Sequence, residues 1–285
     1  MTHHGRGVLY GIFNALVVVY MGVLVKMAGD IPSDVLVFAR VGIGFILFLP
    51  ILLWKHVSFK LHKVKLHLFR GVVGITALFC FFYALQRLTL VNAILLSNTI
   101  PLFVPLVVLI WLKIKIPKKR IVFMLTGFIG IALVLKPDMG IFSWPSIVGL
   151  GTGVLGAIAL VTVRQLTKTE DSQTIVFYFL AIASIISLIP AAFHIKYLEL
   201  GRVWLYLLGI GLGGMLYQLL ITETYRYLPA SKASCLLYLS VVFGGFAEWI
   251  FWRQVPDFFT IMGCVLVILG GMATILDKSP AVPLK

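Results

Sequence analysis

A charged or polar side chain inside a long apolar run is costly, so each one is a candidate for function. This chain of 285 residues has few of them. Glu248 stands in FGGFAEWIFW, an acid among Phe and Trp, and is a candidate proton carrier or counter-charge for a cationic substrate. Arg40 stands in VFARVGIGF and could pair with Glu248 or hold two helices together. Glu223 lies three residues before Arg226, which fits a surface i,i+3 pair or a gate. Asn14 and Asn98 fall near the middle of their runs and could orient a polar substrate or bond between helices. Tyr83, Tyr217, Gln218 and Tyr238 complete the set of candidate substrate contacts, since aromatic rings beside a carboxylate suit an organic cation.

The elements that must position these residues are membrane helices. The chain is 61% hydrophobic and only 12% charged, about half the charge of a soluble domain. Leu90–Leu112 is free of charge over 23 residues and Phe258–Leu276 over 19. A hydrocarbon core needs about 20 such residues as a helix. Ten runs are expected as spans, near 7–27, 32–54, 68–87, 90–112, 118–136, 145–164, 172–193, 203–225, 231–252 and 257–276. The fold class is therefore an all-α integral membrane protein with short connections. The first run is long for a signal peptide and is expected to be retained.

The net charge of +14 would point to nucleic acid in a soluble domain, but no basic domain stands clear of the runs, which argues against that partner. With a cytoplasmic N-terminus and ten spans, 17 basic residues fall inside and 6 outside, and only Arg40 is left within a span. That bias obeys the positive-inside rule and puts both termini in the cytoplasm. Lys113, Lys115, Lys118, Lys119 and Arg120 read as one inner-face anchor, and Arg70 falls in another inside segment with Lys55, Lys60, Lys63 and Lys65. Cys80, Cys235 and Cys264 are scattered through spans and read as packing residues, and His3, His4, His56, His62 and His67 as loop residues. No metal site and no cofactor is expected.

A repeat runs through the chain. With residue n set over n + 140, the stretch 83–136 aligns with 223–276 without a gap. Leu88 meets Leu228, Ala93 meets Ala233, Phe103 meets Phe243 and Gly130 meets Gly270. Five spans separate the equivalents, and an odd number inverts the second copy. The halves are 1–140 and 141–285, as in secondary transporters whose substrate site lies between inverted repeats. Pro101 and Pro105 each remove a backbone donor in the fourth span, and Val241 and Gly245 are their equivalents in the ninth. Both spans are expected to be weakened near mid-depth and to line a central cavity. Gly7/Gly11, Gly149/Gly153 and Gly209/Gly213 have the spacing that lets helices approach closely.

On HLFRGVVGITALFCFFYAL (67–85), IPLFVPLVVLIWL (100–112), GFIGIALVLKP (127–137) and VFARVGIGFILFLP (37–50), the chain resembles the drug/metabolite transporter superfamily, EamA-type. Within it the chain is similar to the S-adenosylmethionine-transporter-like branch. The resemblance implies ten helices in two inverted five-helix halves, with a cavity between spans one, three, four, six, eight and nine. Members carry a Glu at the end of the fourth span and another at the end of the ninth; here those positions are Ile114 and Gln254.

The expectation is a secondary-active or facilitative carrier that moves a small polar organic metabolite across a bacterial inner membrane by alternating access, with protons as a candidate coupling ion. Its candidate substrates are S-adenosylmethionine, amino acids and organic cations such as quaternary amines, and the acid Glu248 leans toward positive charge. The expected state is a monomer or homodimer. An integral membrane enzyme and a non-transporting sensor or channel are the alternatives; the first would need a convergent acid/base or metal set, and the sequence offers none.

Overall fold

A computed structural model describes residues 3–29, 31–54, 62–88, 90–137, 141, 143–194, 203–253, 255–280 and 282–283. Gln254, His56, Lys55, Lys60, Lys196, Arg202 and Lys285 lie outside them, as does the side chain of Glu248. The described chain is helical almost throughout. In order the helices are α1 (His3–Ala28), α2 (Ser33–Trp54), α3 (Val64–Arg87), α4 (Leu90–Ser97 and Ile100–Leu112) and α5 (Lys118–Leu135). Then follow α6 (Trp144–Leu166), α7 (Ser172–His194), α8 (Val203–Tyr227), α9 (Ala230–Cys235, a 3₁₀ turn Leu236–Tyr238, and Leu239–Trp252) and α10 (Phe258–Leu276).

Among the described residues, nine helices are long and apolar enough to cross a membrane, against ten runs expected from sequence. The difference is α5, which has only 18 residues, of which Lys118, Lys119 and Arg120 form the first turn. Large apolar side chains such as Ile110, Leu205 and Phe258 are more than 70% exposed, at 77%, 72% and 73%. They belong against lipid, where an α-helix satisfies its own backbone.

Local chemistry sets the helix ends. Gly29, at φ +75°, takes the left-handed conformation that ends α1. Asp257 caps α10, its Oδ1 accepting from Thr260 N at 3.0 Å and from Thr260 Oγ1 at 2.7 Å. Lys113 ends the α4 helix in the left-handed region at φ 52°, and Arg253 follows α9 at φ 54°. These two residues are 140 apart.

The middle of α4 is interrupted at Asn98–Thr99, one turn earlier than the prolines suggest. Pro101 sits in the first turn of the second segment, where no helical donor is lost, and Pro105 stays inside the helix. The matching interruption of α9 is its 3₁₀ turn at Leu236–Tyr238, not Val241 or Gly245. Tyr238 and Asn98 are again 140 apart.

Packing follows the same offset. A Cβ on Gly130 would lie 2.6 Å from Gly263 O and 2.8 Å from Val267 N. One on Gly270 would lie 2.7 Å from both Phe123 O and Gly127 N. The second contact is the first with both partners moved by 140 residues, so α5 and α10 touch backbone to backbone and symmetrically. Elsewhere α1 packs on α8 as α6 packs on α3, α1 on α9 as α6 on α4, and α2 on α8 as α7 on α3. The expected glycine pairs do meet neighbours: Gly7 and Gly11 lie against Leu228 and Leu236, and Gly149 against Leu96.

One end of the bundle is laced with polar contacts. There Arg120, from the sequence block read as a solvated anchor, is 3% exposed. Its Nη2 lies 3.0 Å from Asp277 Oδ2, and the guanidinium also donates to Ser231 Oγ at 3.3 Å and Ser279 O at 2.8 Å. Lys232 Nζ donates to Ile275 O at 2.6 Å. Ile114, where the family resemblance leads one to expect an acid, lies in a two-residue strand paired with Val282–Pro283. The opposite end has two pairs among the described residues, Lys136–Asp257 and His194–Asp34, the latter at 2.6 Å. Lys136 first, then Thr260, holds the Asp257 carboxyl well below the usual carboxylate range.

Candidate functional site

Helix α8 carries two consecutive polar side chains, Tyr217 and Gln218, and each meets an arginine from a different helix. Gln218 Oε1 accepts from Nη2 of Arg70, on α3, at 3.2 Å. The Arg70 guanidinium also lies over the Phe179 ring of α7, 4.0 Å from its centroid. Arg40, on α2, sits over the Tyr217 ring at 5.0 Å. No Asp or Glu among the described side chains pairs with either arginine.

The backbone makes room for both. Gly74, one turn beyond Arg70, leaves space that a Cβ would deny to Nη1. Arg40 sits in a π-helical turn, Ala39–Ile43, where α2 widens. Gly211 and Gly214 of α8 come directly against that turn, and a Cβ on Gly211 would stand 3.0 Å from Ala39 O.

Arg70 is the residue the sequence reading missed. It is only 4% exposed, and its Nε and Nη1 have no hydrogen-bond partner. Counted from the start of α3 it is the seventh residue, which is why it reads as an inner-face anchor. The signal for its burial is Gly74 four residues on, since a glycine at i+4 gives a long side chain somewhere to lie.

The other expected residues scatter. Asn14 is buried on α1 with Oδ1 unpartnered. Asn98 spends its amide on its own helix, Nδ2 donating to Ile94 O at 3.0 Å beside the α4 interruption. Tyr83 lies under the Arg87 guanidinium at 4.1 Å and lines a cavity of about 450 Å³ with Asp34, Phe79, Phe82 and His194. Tyr238 is 1% exposed in a separate apolar cluster with Leu95, Ile131 and Val267. Pro101 and Pro105 are buried on α4. A larger cavity of about 830 Å³ is bounded by His62–Leu66, Phe69 and Trp111, at the start of α3. Neither cavity is lined by Asn14, Arg40, Arg70 or Gln218.

Glu223 is a weak partner for Arg226, 3.9 Å from its Nε. The stronger bonds of Arg226 go to the α6–α7 connection: Nε donates to Ser172 Oγ at 2.9 Å and Nη2 to Glu170 O at 2.8 Å. Glu170 in turn ties down the approach to α3, Oε1 accepting from His62 N at 3.0 Å and Lys63 N at 3.1 Å, with His67 Nε2 at 3.4 Å. A chain of polar contacts thus joins α3, α7 and α8 at the end of the bundle that also holds Arg120 and Asp277. The carboxyl of Asp277 is opposed by burial, but bonds from Ser279 and the Arg120 guanidinium hold it below the usual carboxylate range.

Comparison with known proteins fits this architecture. The chain is 31% identical over 277 residues to the pseudopaline exporter CntI of Pseudomonas aeruginosa, covering 94% of this chain and 95% of that one. It is 24% identical to solute carrier family 35 member G1 of Homo sapiens (96% of this chain, 80% of that one). It is 22% identical to the S-adenosylmethionine uptake transporter of Rickettsia bellii (80% and 78%). A solved crystal structure shares the fold at a TM-score of 0.80 and 18% identity, over 94% of this chain and 96% of that one. The EamA-like transporter family matches twice in tandem, over residues 5–136 and 143–276, and it is to this family that the chain belongs.

Proposed function

We propose that the chain is a secondary-active or facilitative carrier that moves a small polar organic metabolite across a bacterial inner membrane by alternating access. In this reading ten helices span the bilayer as two oppositely oriented halves, 1–140 and 141–285, with both termini and the laced end of the bundle in the cytoplasm. The observation that carries it is the recurrence at an offset of 140: the left-handed residues Lys113 and Arg253, the interruptions at Asn98 and Tyr238, and the two-fold glycine contact of α5 with α10. Five helices separate each pair, so equivalent elements run in opposite senses. Two such halves can exchange conformations and present one site to either side in turn. The relatives include an exporter and an uptake transporter, which supports transport and leaves direction open. The laced end supports assigning this state as closed to the cytoplasm.

Two measurements test this. Single cysteines at positions 5 and 280 are expected to label from the cytoplasmic side only; labelling from opposite sides overturns the ten-span arrangement. Proteoliposomes loaded with a cell metabolite extract are expected to show saturable counterflow of at least one compound. Flux that never saturates points to a channel, and no protein-dependent flux refutes the carrier.

A further inference from the structure

Among the described side chains, the Arg70 guanidinium has no counter-charge. Arginine stays protonated in proteins, and burying an ion of that size costs several kcal/mol unless a partner of opposite sign is at hand. Gln218 and the Phe179 ring supply a neutral acceptor and a π-face. They leave Nε and Nη1 unpartnered, which carry three of the five N–H donors of a guanidinium. Arg40 is a second cation, held over the ring of Tyr217, the residue before Gln218 on α8. Helices α3, α7 and α8 therefore converge on one buried cation, and α2 brings another to the adjacent residue of α8, and no described acid pairs with either.

We infer that Arg70, with Gln218 beside it and Arg40 over Tyr217, is the subsite that binds a carboxylate of the transported metabolite. A carboxylate accepts charge-assisted bonds that a neutral group cannot match, and it supplies the missing charge. The substrate class is then an organic acid or an amino-acid-like zwitterion. Arg70 is buried in this state and neither cavity reaches it, so a metabolite must part the helices around it to bind. The chain of contacts through Glu170 and His67 lies one turn below it on α3 and must open for release on that side. The inference rests on the carrier reading above.

The test uses the full-length protein in proteoliposomes bathed in a cell metabolite extract, with accumulated compounds identified by mass spectrometry and scored for a carboxyl group. The compounds that accumulate are expected to carry one. Arg70→Met should cut their uptake at least ~10-fold, the loss of one charge-assisted contact, and Arg70→Lys should restore part of it. Gln218→Glu guards against misfolding. It sets an internal carboxylate against Nη2, so melting temperature should hold or rise while uptake falls as in Arg70→Met. Accumulation only of compounds without a carboxyl group overturns the inference and leaves the carrier standing. Unchanged carboxylate uptake in folded Gln218→Glu does the same. No accumulation by the parent protein refutes the carrier itself, and this inference with it.

Discussion

Replacing Asp277 by Asn tests whether the polar cluster at the end of α10 holds the bundle together. The side chains of Arg120 and Asp277 are 4% and 3% exposed. Asp277 Oδ2 accepts from Arg120 Nε at 3.0 Å, and Oδ1 accepts from Ser279 N at 3.1 Å and Ser279 Oγ at 2.7 Å. Asn keeps the shape and one acceptor but strands the guanidinium. Removing one partner of a buried pair costs about 3–5 kcal/mol; the helix end is close to water, so the low end, about 3 kcal/mol, applies here. At about 2–4 °C per kcal/mol for a chain of this order, the melting temperature should fall by about 6–12 °C. Thermal unfolding in nanodiscs, followed by tryptophan fluorescence, reads this directly. Arg120→Met combined with Asp277→Leu should lose clearly less than the two single changes added together, because the stranded charge is gone. The pH dependence has a fixed sign. The folded carboxyl titrates below its unfolded value of about 4, so its stabilisation is complete above that pH and is lost as pH falls through the folded pKa. Asp277→Asn should flatten that acid limb. A drop of less than about 2 °C, or strict additivity in the double variant, refutes the reasoning.

Glycine contacts give a paired test: Gly130→Ala forces a methyl against Gly263 O and Val267 N and should destabilise by about 1–3 kcal/mol. Gly245→Ala meets open space, so the melting temperature should hold or rise; uptake falling at the same time would show that α9 flexes in transport, and unchanged uptake would refute that role. Glu170→Ala removes the acceptor for His62 N and Lys63 N just before α3 and should cost about 2 kcal/mol locally, read as about 30-fold faster amide exchange at those two residues. Glu248→Gln should abolish the pH dependence of uptake if that acid carries the coupling proton, and an unaltered profile rules it out.

The spans were readable from sequence because an apolar run of fixed length has one physical outcome in lipid. The 140-residue offset was readable too, and it reappears in backbone detail that side-chain identity could not forecast, at Lys113 with Arg253. The sequence places a weakening of α4 near mid-depth, and the break lies there, at Asn98–Thr99; proline does not fix its exact position, because Pro101 lies where the helix has no donor to lose. The polar site was half legible. Arg40, Tyr217 and Gln218 stood out as polar residues in apolar runs. Arg70 and Arg120 did not, because position near a helix end predicts solvent. Burial there depends on Gly74 and Phe179 in one case and on Asp277 and Ser231 in the other, partners from one turn to more than a hundred residues away.

The meeting of α5 and α10 has a mechanical consequence. At Gly130 and Gly270 backbone meets backbone, so at those two points no side chain lies between the rods to act as a bearing. Sliding or rolling one past the other would drive main-chain atoms into each other, so the pair must travel as a single strut. On the proposed carrier reading, the motion that moves cargo is expected of the remaining helices, hinging about that strut.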